Sequence, residues 1–236
     1  MLPNERIIVA LDFDSRTDAL GLVDRLGAAA PCYKVGLQLL TAEGPAIVHA
    51  LIARQKKVFL DLKLHEIPNS VASAVAVAGA LGVSMVTVHA SGGAAVMRAA
   101  VEAARRFPDL RVLALTVITS LQDQDLAEIG VAGSVRDQVL RLAQLAAAAG
   151  CHGVVASPQE AALLRAVLPA HLLIVTPGVQ LPGGSHNDQA RTATPAQAIR
   201  SGSTHIVLGR SIARAADPGA AFAAVYTEVE QALSPQ

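Results

Sequence analysis

Eight short apolar runs, rich in β-branched residues, recur along the chain and dominate its pattern. They are Ile7 to Leu11, Tyr33 to Leu37, Val58 to Leu62, Met85 to His89, Val112 to Val117, Gly153 to Ala156, Leu172 to Val175 and Ile206 to Leu208. Their hydrophobicity is continuous rather than alternating, which is typical of strands buried on both faces of a parallel sheet. Stretches of helical periodicity lie between them, for example Ser15 to Leu26, Pro68 to Leu81, Gly92 to Phe107, Ser134 to Ala149 and Pro195 to Ser201.

Strand and helix therefore alternate about eight times in 236 residues, close to the roughly 250 residues of a (β/α)₈ barrel. Two doubly wound domains are the alternative, but they require a boundary. No Pro/Gly/Ser-rich linker or block of like charges divides the chain. We predict an α/β fold, a single (β/α)₈ TIM barrel domain over residues 1–236.

Composition narrows the range of partners and compartments. Hydrophobic residues make up 52%, and 19 basic residues balance 19 acidic ones, so neither disorder nor a nucleic-acid or anionic-membrane partner is favoured. Cys32 and Cys151 form no paired metal spacing and are too few for a disulfide scaffold. No secretory signal or membrane-spanning run is evident, so we expect a cytoplasmic protein.

Barrel active sites lie where the strands end, in the loops that follow. Asp61 and Lys63 alternate with Leu62 near the end of the third run, so both charges are predicted to enter the barrel mouth. Lys34 in the second run and Glu66 after the third can add charges of each sign. Fixed cations beside a proton-donating ammonium suit a reaction through a carbanion. The alternative is a salt bridge that only plugs the barrel.

A second candidate site follows the seventh and eighth runs. The Gly-rich segment from Thr176 to Gly184 continues to Asp188 and Gln189, and Gly209 with Arg210 follows the eighth run. Loops at these positions commonly bind phosphate, so we expect a phosphate site with a lid over it. An ordinary turn is the other interpretation.

The remaining polar candidates are individually weak. Asp12 is expected either to bind a ligand hydroxyl or to cap a helix. His65 and His89 can titrate near neutrality or be satisfied structurally. No histidine lies at metal-ligand spacing from carboxylates or cysteines, so no metal site is predicted.

The segment Asp-Leu-Lys-Leu-His-Glu-Ile-Pro-Asn-Ser at 61–70 resembles the orotidine 5′-phosphate decarboxylase signature, Asp-x-Lys-x-x-Asp-Ile-Pro-Asn-Thr. The similarity extends over nearly the whole chain in the same order. It includes Ile8 to Asp12, Lys34 to Gly36, Leu115 to Ser120, Val175 to Gly178, Asp188-Gln189, Thr194 to Ala198 and Gly209-Arg210.

The resemblance implies a homodimeric (β/α)₈ enzyme, free of metal and cofactor, that converts orotidine 5′-phosphate to uridine 5′-phosphate and carbon dioxide. By position, Lys63 matches the proton donor, and Lys34 and Asp61 match its charged network. Glu66 matches an acid contributed by the partner subunit. Asp12 matches a ribose ligand.

The resemblance also assigns residues that bind the rest of the substrate. These are Thr119 and Ser120 near the pyrimidine, Asn69 and Ser70 from the signature, and Gln180, Gln189, Gly209 and Arg210 toward the phosphate. Three positions depart from the family pattern. Glu66 replaces aspartate, Gln180 stands where many bacterial members carry arginine, and Ser70 replaces threonine.

Two other functions stay open at this point. A magnesium-dependent 3-keto-gulonate 6-phosphate decarboxylase or hexulose-phosphate synthase shares part of the signature, but carries an acid where this chain has Lys34 and lacks Ile67-Pro68-Asn69. The departures at Glu66 and Gln180 also permit a catalytically impaired barrel that still binds phosphate.

Overall fold

A computed structural model of the protein describes residues 1–181 and 192–234. Eight parallel strands close into a barrel in chain order, and the last strand pairs with the first. The strands are β1 (Ile7–Ala10), β2 (Cys32–Gly36), β3 (Lys57–Leu64), β4 (Met85–His89), β5 (Arg111–Leu115), β6 (Gly153–Val155), β7 (Leu173–Thr176) and β8 (His205–Leu208). The predicted TIM barrel is confirmed.

Helices surround the barrel in the order that the sequence pattern predicts. They are α1 (Arg16–Leu26), α2 (Leu37–Glu43), α3 (Ala46–Ala53), α4 (Pro68–Ala80), α5 (Gly93–Ala104), α6 (Asp123–Glu128), α7 (Val135–Ala148), α8 (Ala161–Val167), α9 (Pro195–Arg200), α10 (Arg210–Ala213) and α11 (Pro218–Leu233). Within the described ranges, no helix is both long and apolar enough to cross a membrane.

Most predicted strand boundaries shift by one or two residues. Leu37 begins α2 instead of ending β2, and β5 ends at Leu115, so that Val117 lies in the following loop. In contrast, β3 continues to Leu64, beyond the predicted end at Leu62. Val117 is buried in the core although it lies beyond β5, whereas Leu37 is 59% exposed at the start of α2. Hydrophobicity alone therefore does not mark where these two strands end.

Side-chain caps fix where several helices begin. Ser15 accepts a hydrogen bond from the Asp18 amide at the start of α1, and Ser134 caps α7 in the same way through Asp137. Thr194 and Gln197 form a reciprocal capping box at α9. These bonds satisfy amides that have no acceptor within the helix, and so help to fix the residues at which α1, α7 and α9 begin.

The hydrophobic core has two layers. The larger layer lies between the strands and the helices, while a smaller cluster fills the inside of the barrel. The inner cluster contains Ile8, Ala10, Cys32, Phe59, Met85, Leu113, Leu115, Val155, Val175 and Val207. Because the interior is filled, a ligand of the barrel is expected at the mouth, where the strands end.

The opposite end of the barrel contains a buried histidine. His205 begins β8 and is only 4% exposed. Burial, together with the charges of Arg6 and Lys57, lowers the pKa of His205 from 6.5 to about 4. The folded state therefore prefers the neutral imidazole.

We predict that His205 makes the protein less stable in acid. Above pH 6.5 the histidine is neutral in both states, but between 6.5 and about 4 only the unfolded chain binds the proton. Stability should fall by about 3 kcal/mol across this range because of His205. Urea unfolding of wild type and His205→Gln from pH 7 to 4 measures the difference. The difference in free energy of unfolding between wild type and His205→Gln should shrink by that amount as the pH falls. His171 is exposed, so the His171→Gln variant should show the same pH dependence as wild type. Equal acid slopes for wild type and His205→Gln would contradict the assignment.

Candidate active site

Strand β3 bulges where it reaches the barrel mouth. Leu60 pairs with Val86 and Leu64 with Val88, so β3 has two more residues than β4 between the same pairs. Within the bulge, Lys63 adopts a φ of 52°, a left-handed conformation that costs roughly 1–2 kcal/mol for a residue with a Cβ. The Lys63 amide donates to the Thr87 hydroxyl at 2.8 Å. The bulge thus sets the position of Lys63 by a contact with the neighbouring strand.

Asp61 joins two lysines at the barrel mouth. Its Oδ2 atom lies 2.9 Å from Lys63 Nζ and 4.0 Å from Lys34 Nζ. The Lys34 ammonium also lies 3.0 Å from Oδ1 of Asp12. The charges therefore alternate along the series Asp12, Lys34, Asp61 and Lys63, as the sequence predicted for the last three.

Exposure decreases toward the middle of this charged array. The Asp12 and Lys63 side chains are 55% and 35% exposed, while Lys34 and Asp61 are only 13% and 12% exposed. Charges as buried as the last two are costly to desolvate unless each has an opposite charge close by. The array supplies that pairing and still leaves the Lys63 ammonium accessible to a ligand.

Gly36 provides the space that the Lys34 ammonium occupies. A Cβ atom at this position would lie 2.9 Å from Lys34 Nζ and 3.7 Å from Asp12 Oδ1. A residue with a Cβ would displace the end of the lysine side chain, so the absence of a side chain at Gly36 lets Lys34 take its place in the array.

A cavity of about 730 Å³ opens above the array. Asp12, Lys34, Asp61 and Lys63 line one side of it, and its apolar floor consists of Ala10, Leu115, Val155 and Val207 from the inner core. This volume is within the range of small-molecule sites. A planar ligand group can lie on the apolar floor while the charges meet its polar edge.

The loops after β5, β7 and β8 complete the cavity wall. The lining includes the predicted residues Thr119, Gln180, Gly209 and Arg210, together with Ser120. Arg214 also lines the cavity and was not among the site residues predicted from the sequence. Arg214 follows Arg210 by four positions, a spacing that places two side chains on one helical face, and this spacing could have identified it.

The two ends of the predicted lid pair with each other. Val179 forms a parallel bridge with Ala193, and the Gln180 amide donates to the Ala193 carbonyl at 3.1 Å. Gln189 and the glycines at 183 and 184 lie outside the described residues, so the lid itself stays a prediction.

Three signature residues lie away from the cavity of their own chain. Glu66, Asn69 and Ser70 are absent from its lining and lie at the start of α4, where Glu66 and Asn69 are exposed. Hydrogen bonds from the Ile67 amide and the Ser70 side chain lower the pKa of Glu66. The expectation that Glu66 adds a carboxylate to the mouth is therefore not met within one chain, because its side chain interacts with the first turn of α4.

The two candidate histidines pack against each other instead of lining the cavity. The rings of His65 and His89 stack with their centroids 5.2 Å apart. Burial, with the charges of His65 and Lys63, lowers the pKa of His89. The backbone amide of Ser91 donates to His89 Nδ1 at 3.3 Å, so this ring holds the turn after β4. Among the described residues, no group of three or more His, Cys, Asp and Glu could hold a metal ion.

Comparisons with known proteins agree with the site. Residues 5–225 match the family model "Orotidine 5'-phosphate decarboxylase / HUMPS family". The chain is 48% identical to orotidine 5′-phosphate decarboxylase of Alkalilimnicola ehrlichii over 229 residues, covering 97% of each protein. It is 47% identical to the protein of that name from Neisseria gonorrhoeae over 220 residues, covering 92% of this chain and 89% of the relative.

A solved structure of similar shape carries the same name. The crystal structure of orotidine 5′-phosphate decarboxylase from Lactobacillus acidophilus superimposes with a TM-score of 0.84 at 34% identity, covering 94% of this chain and 98% of that one. Barrel, charged array and sequence similarity over almost the full length thus agree. The chain belongs to the orotidine 5′-phosphate decarboxylase / HUMPS family.

Proposed function

We propose that this protein converts orotidine 5′-phosphate to uridine 5′-phosphate and carbon dioxide, the last step of de novo UMP biosynthesis. The observation that carries the proposal is the array in which Asp61 holds the ammonium groups of Lys34 and Lys63 beside one cavity. Relatives about 48% identical over nearly the whole chain carry the name of this activity. Lys34 stands where the magnesium-dependent relatives carry an acid, which favours this reaction over theirs.

The chemical difficulty of the reaction explains why fixed positive charge is needed. When the carboxylate leaves the pyrimidine ring, the electron pair stays on the ring carbon in an orbital in the ring plane, because no electron sink is conjugated with it. An ammonium already in place stabilises the growing negative charge without having to reorganise during the step. Lys63, the more exposed lysine of the array, is our candidate for this role.

In the reaction a carbon–carbon bond and an N–H bond break, and a C–H bond forms. The bond between the ring carbon and the carboxylate carbon breaks, its electron pair stays on the ring, and carbon dioxide departs. A proton moves from Lys63 Nζ to the ring carbon, and solvent returns a proton to the lysine. In this proposal Asp61, 2.9 Å from Lys63 Nζ, holds that ammonium group in place through an ion pair and lies beside the departing carboxylate. The proposal includes neither a metal nor an organic cofactor.

The remaining cavity residues are proposed to bind the rest of the substrate. Asp12 contacts the ribose, and Thr119 lies near the pyrimidine. Asn69 and Ser70 are absent from the cavity lining of their own chain, so their contact with substrate is proposed for the site of a partner subunit. Gln180, Gly209 and Arg210 bind the phosphate together with Gln189. Contacts with parts of the substrate that do not react can supply binding energy that orders the site and stabilises the transition state. Arg214 lines the same cavity and offers a second guanidinium where Gln180 replaces the arginine of many bacterial members.

We propose that Glu66 completes the site of a partner subunit in a homodimer. Glu66 is exposed and lies away from its own cavity, and its neighbour Ile67 is 61% exposed. Asn69 and Ser70 also lie outside the cavity of their own chain, so this part of the signature can meet substrate only in the site of another chain. The cytoplasm is the proposed compartment, because both cysteines, Cys32 and Cys151, are buried as free thiols.

Lys63→Ala should abolish turnover and leave the fold intact. Loss of the proton donor and its charge is expected to lower kcat by at least about 10³-fold. The measurement is the loss of orotate absorbance, with circular dichroism to confirm folding. Lys57→Ala is the matched control, since it removes a lysine of the same strand that pairs with Glu5 at 2.8 Å at the opposite end of the barrel. Near-normal activity in folded Lys63→Ala would overturn the assigned role.

Mixing two inactive variants tests the shared site. A hybrid dimer of Lys63→Ala and Glu66→Ala chains contains one intact site, so full subunit exchange at equal amounts should restore about a quarter of wild-type activity. Glu66→Ala mixed with a Lys63→Ala/Glu66→Ala double variant should gain nothing. Absence of recovery, once subunit exchange is demonstrated by mass spectrometry of tagged chains, would contradict a site that uses the partner's glutamate.

A further inference from the structure

Thr87 is a polar residue buried in the wall of the barrel. It lies in β4, between Val86 and Val88, and is 0% exposed. Its neighbour two residues earlier, Met85, belongs to the inner hydrophobic cluster. A hydroxyl removed from water in this way is costly unless it is hydrogen-bonded, so its partners indicate why it is there.

The Thr87 hydroxyl links two parts of the charged array. Its Oγ1 accepts a hydrogen bond from the Lys63 amide at 2.8 Å and donates to Asp61 Oδ1 at 2.9 Å. The direction of both bonds is fixed, because an amide can only donate and an ionised carboxylate can only accept. The hydroxyl has one proton, and that proton points to Asp61.

The two bonds hold the backbone of Lys63 and the carboxylate of Asp61, the two parts of β3 on which the array depends. One holds the amide of Lys63, whose φ of 52° lies within the bulge. The other engages the Asp61 oxygen that the lysines do not use, since Lys63 Nζ lies 2.9 Å from Oδ2. Together they fix the lysine backbone and the rotation of the carboxylate that binds its ammonium group.

We propose that Thr87 is a positioning residue that aims the Lys63 ammonium through these two hydrogen bonds. Thr87 does not line the cavity, so it acts on the reaction through Asp61 and Lys63 and not by touching substrate. The inference rests on the proposed decarboxylation. The inference adds a requirement for a hydroxyl at the centre of β4, a position that lies outside the family signature at 61–70.

Two substitutions separate the hydroxyl from the shape of the side chain. Thr87→Val keeps the volume and removes the donor and acceptor, whereas Thr87→Ser keeps the hydroxyl. A displacement of about 1 Å at a reacting group can cost on the order of 10²-fold. We expect Thr87→Val to lower kcat by at least about 10-fold with little change in KM, because the phosphate contacts are unaffected, and Thr87→Ser to stay within about 3-fold of wild type.

Thr204→Val is the matched control. The Thr204 hydroxyl also accepts from a backbone amide, that of Ile174 at 3.0 Å, and donates to the Ile174 carbonyl. It precedes β8 at the end of the barrel opposite the cavity, so its loss should change thermal stability but not kcat. Folding of each variant is checked by thermal unfolding, and calorimetric binding of uridine 5′-phosphate should be equal in all of them.

The outcomes distinguish this inference from the function on which it rests. No turnover by wild type would overturn the proposed function and the inference together. If wild type is active and Thr87→Val keeps the wild-type kcat, the inference alone is overturned. The same holds if Thr87→Val and Thr204→Val lower kcat by equal factors. If Thr87→Val does not fold, Thr87→Ser decides, because a folded serine variant that loses 10-fold or more in kcat contradicts a role for the hydroxyl.

Discussion

The Asp61 carboxylate holds two ammonium groups at the mouth of the barrel, and the rest of the site is arranged around that contact. Lys34 and Asp61 are both largely buried, so each needs opposite charge close by, which Asp12 provides 3.0 Å from Lys34 and Lys63 provides 2.9 Å from Asp61. Placing like charges close together requires an opposite charge between them, and Asp61 provides it 2.9 Å from one ammonium and 4.0 Å from the other. Positive charge is therefore present before any substrate enters.

The barrel supplies the geometry that this contact needs. Adjacent parallel strands bring Lys34 on β2 and Asp61 on β3 to the same end, where Gly36 leaves room for the lysine. The apolar inner core closes the barrel below them and keeps the charges in a medium in which electrostatic interactions are strong. Rigid strands, not loops, hold the groups assigned to the chemistry, while the loops after β5, β7 and β8 form the rest of the cavity.

Much of this arrangement follows from local features of the sequence. Each apolar run became a strand, and alternation along β3 was enough to place Asp61 and Lys63 beside each other. The bulge was not predictable, because its extra residues appear only when β3 is paired with β4. Thr87 was missed for the same reason. It lies inside an apolar run, and its partners are 24 and 26 positions away in the chain. The role proposed for Glu66 would require a second chain, which no pattern within one sequence can position.

We propose that fixed ammonium groups, without a metal, suffice for decarboxylation by this protein. The decisive measurement follows the ultraviolet absorbance of orotidine 5′-phosphate with purified protein, in the presence and absence of a metal chelator. We predict loss of the orotate band at the same rate in both conditions. Unchanged absorbance, together with measurable binding of uridine 5′-phosphate, would contradict the account and indicate a barrel that binds the nucleotide without catalysing the reaction.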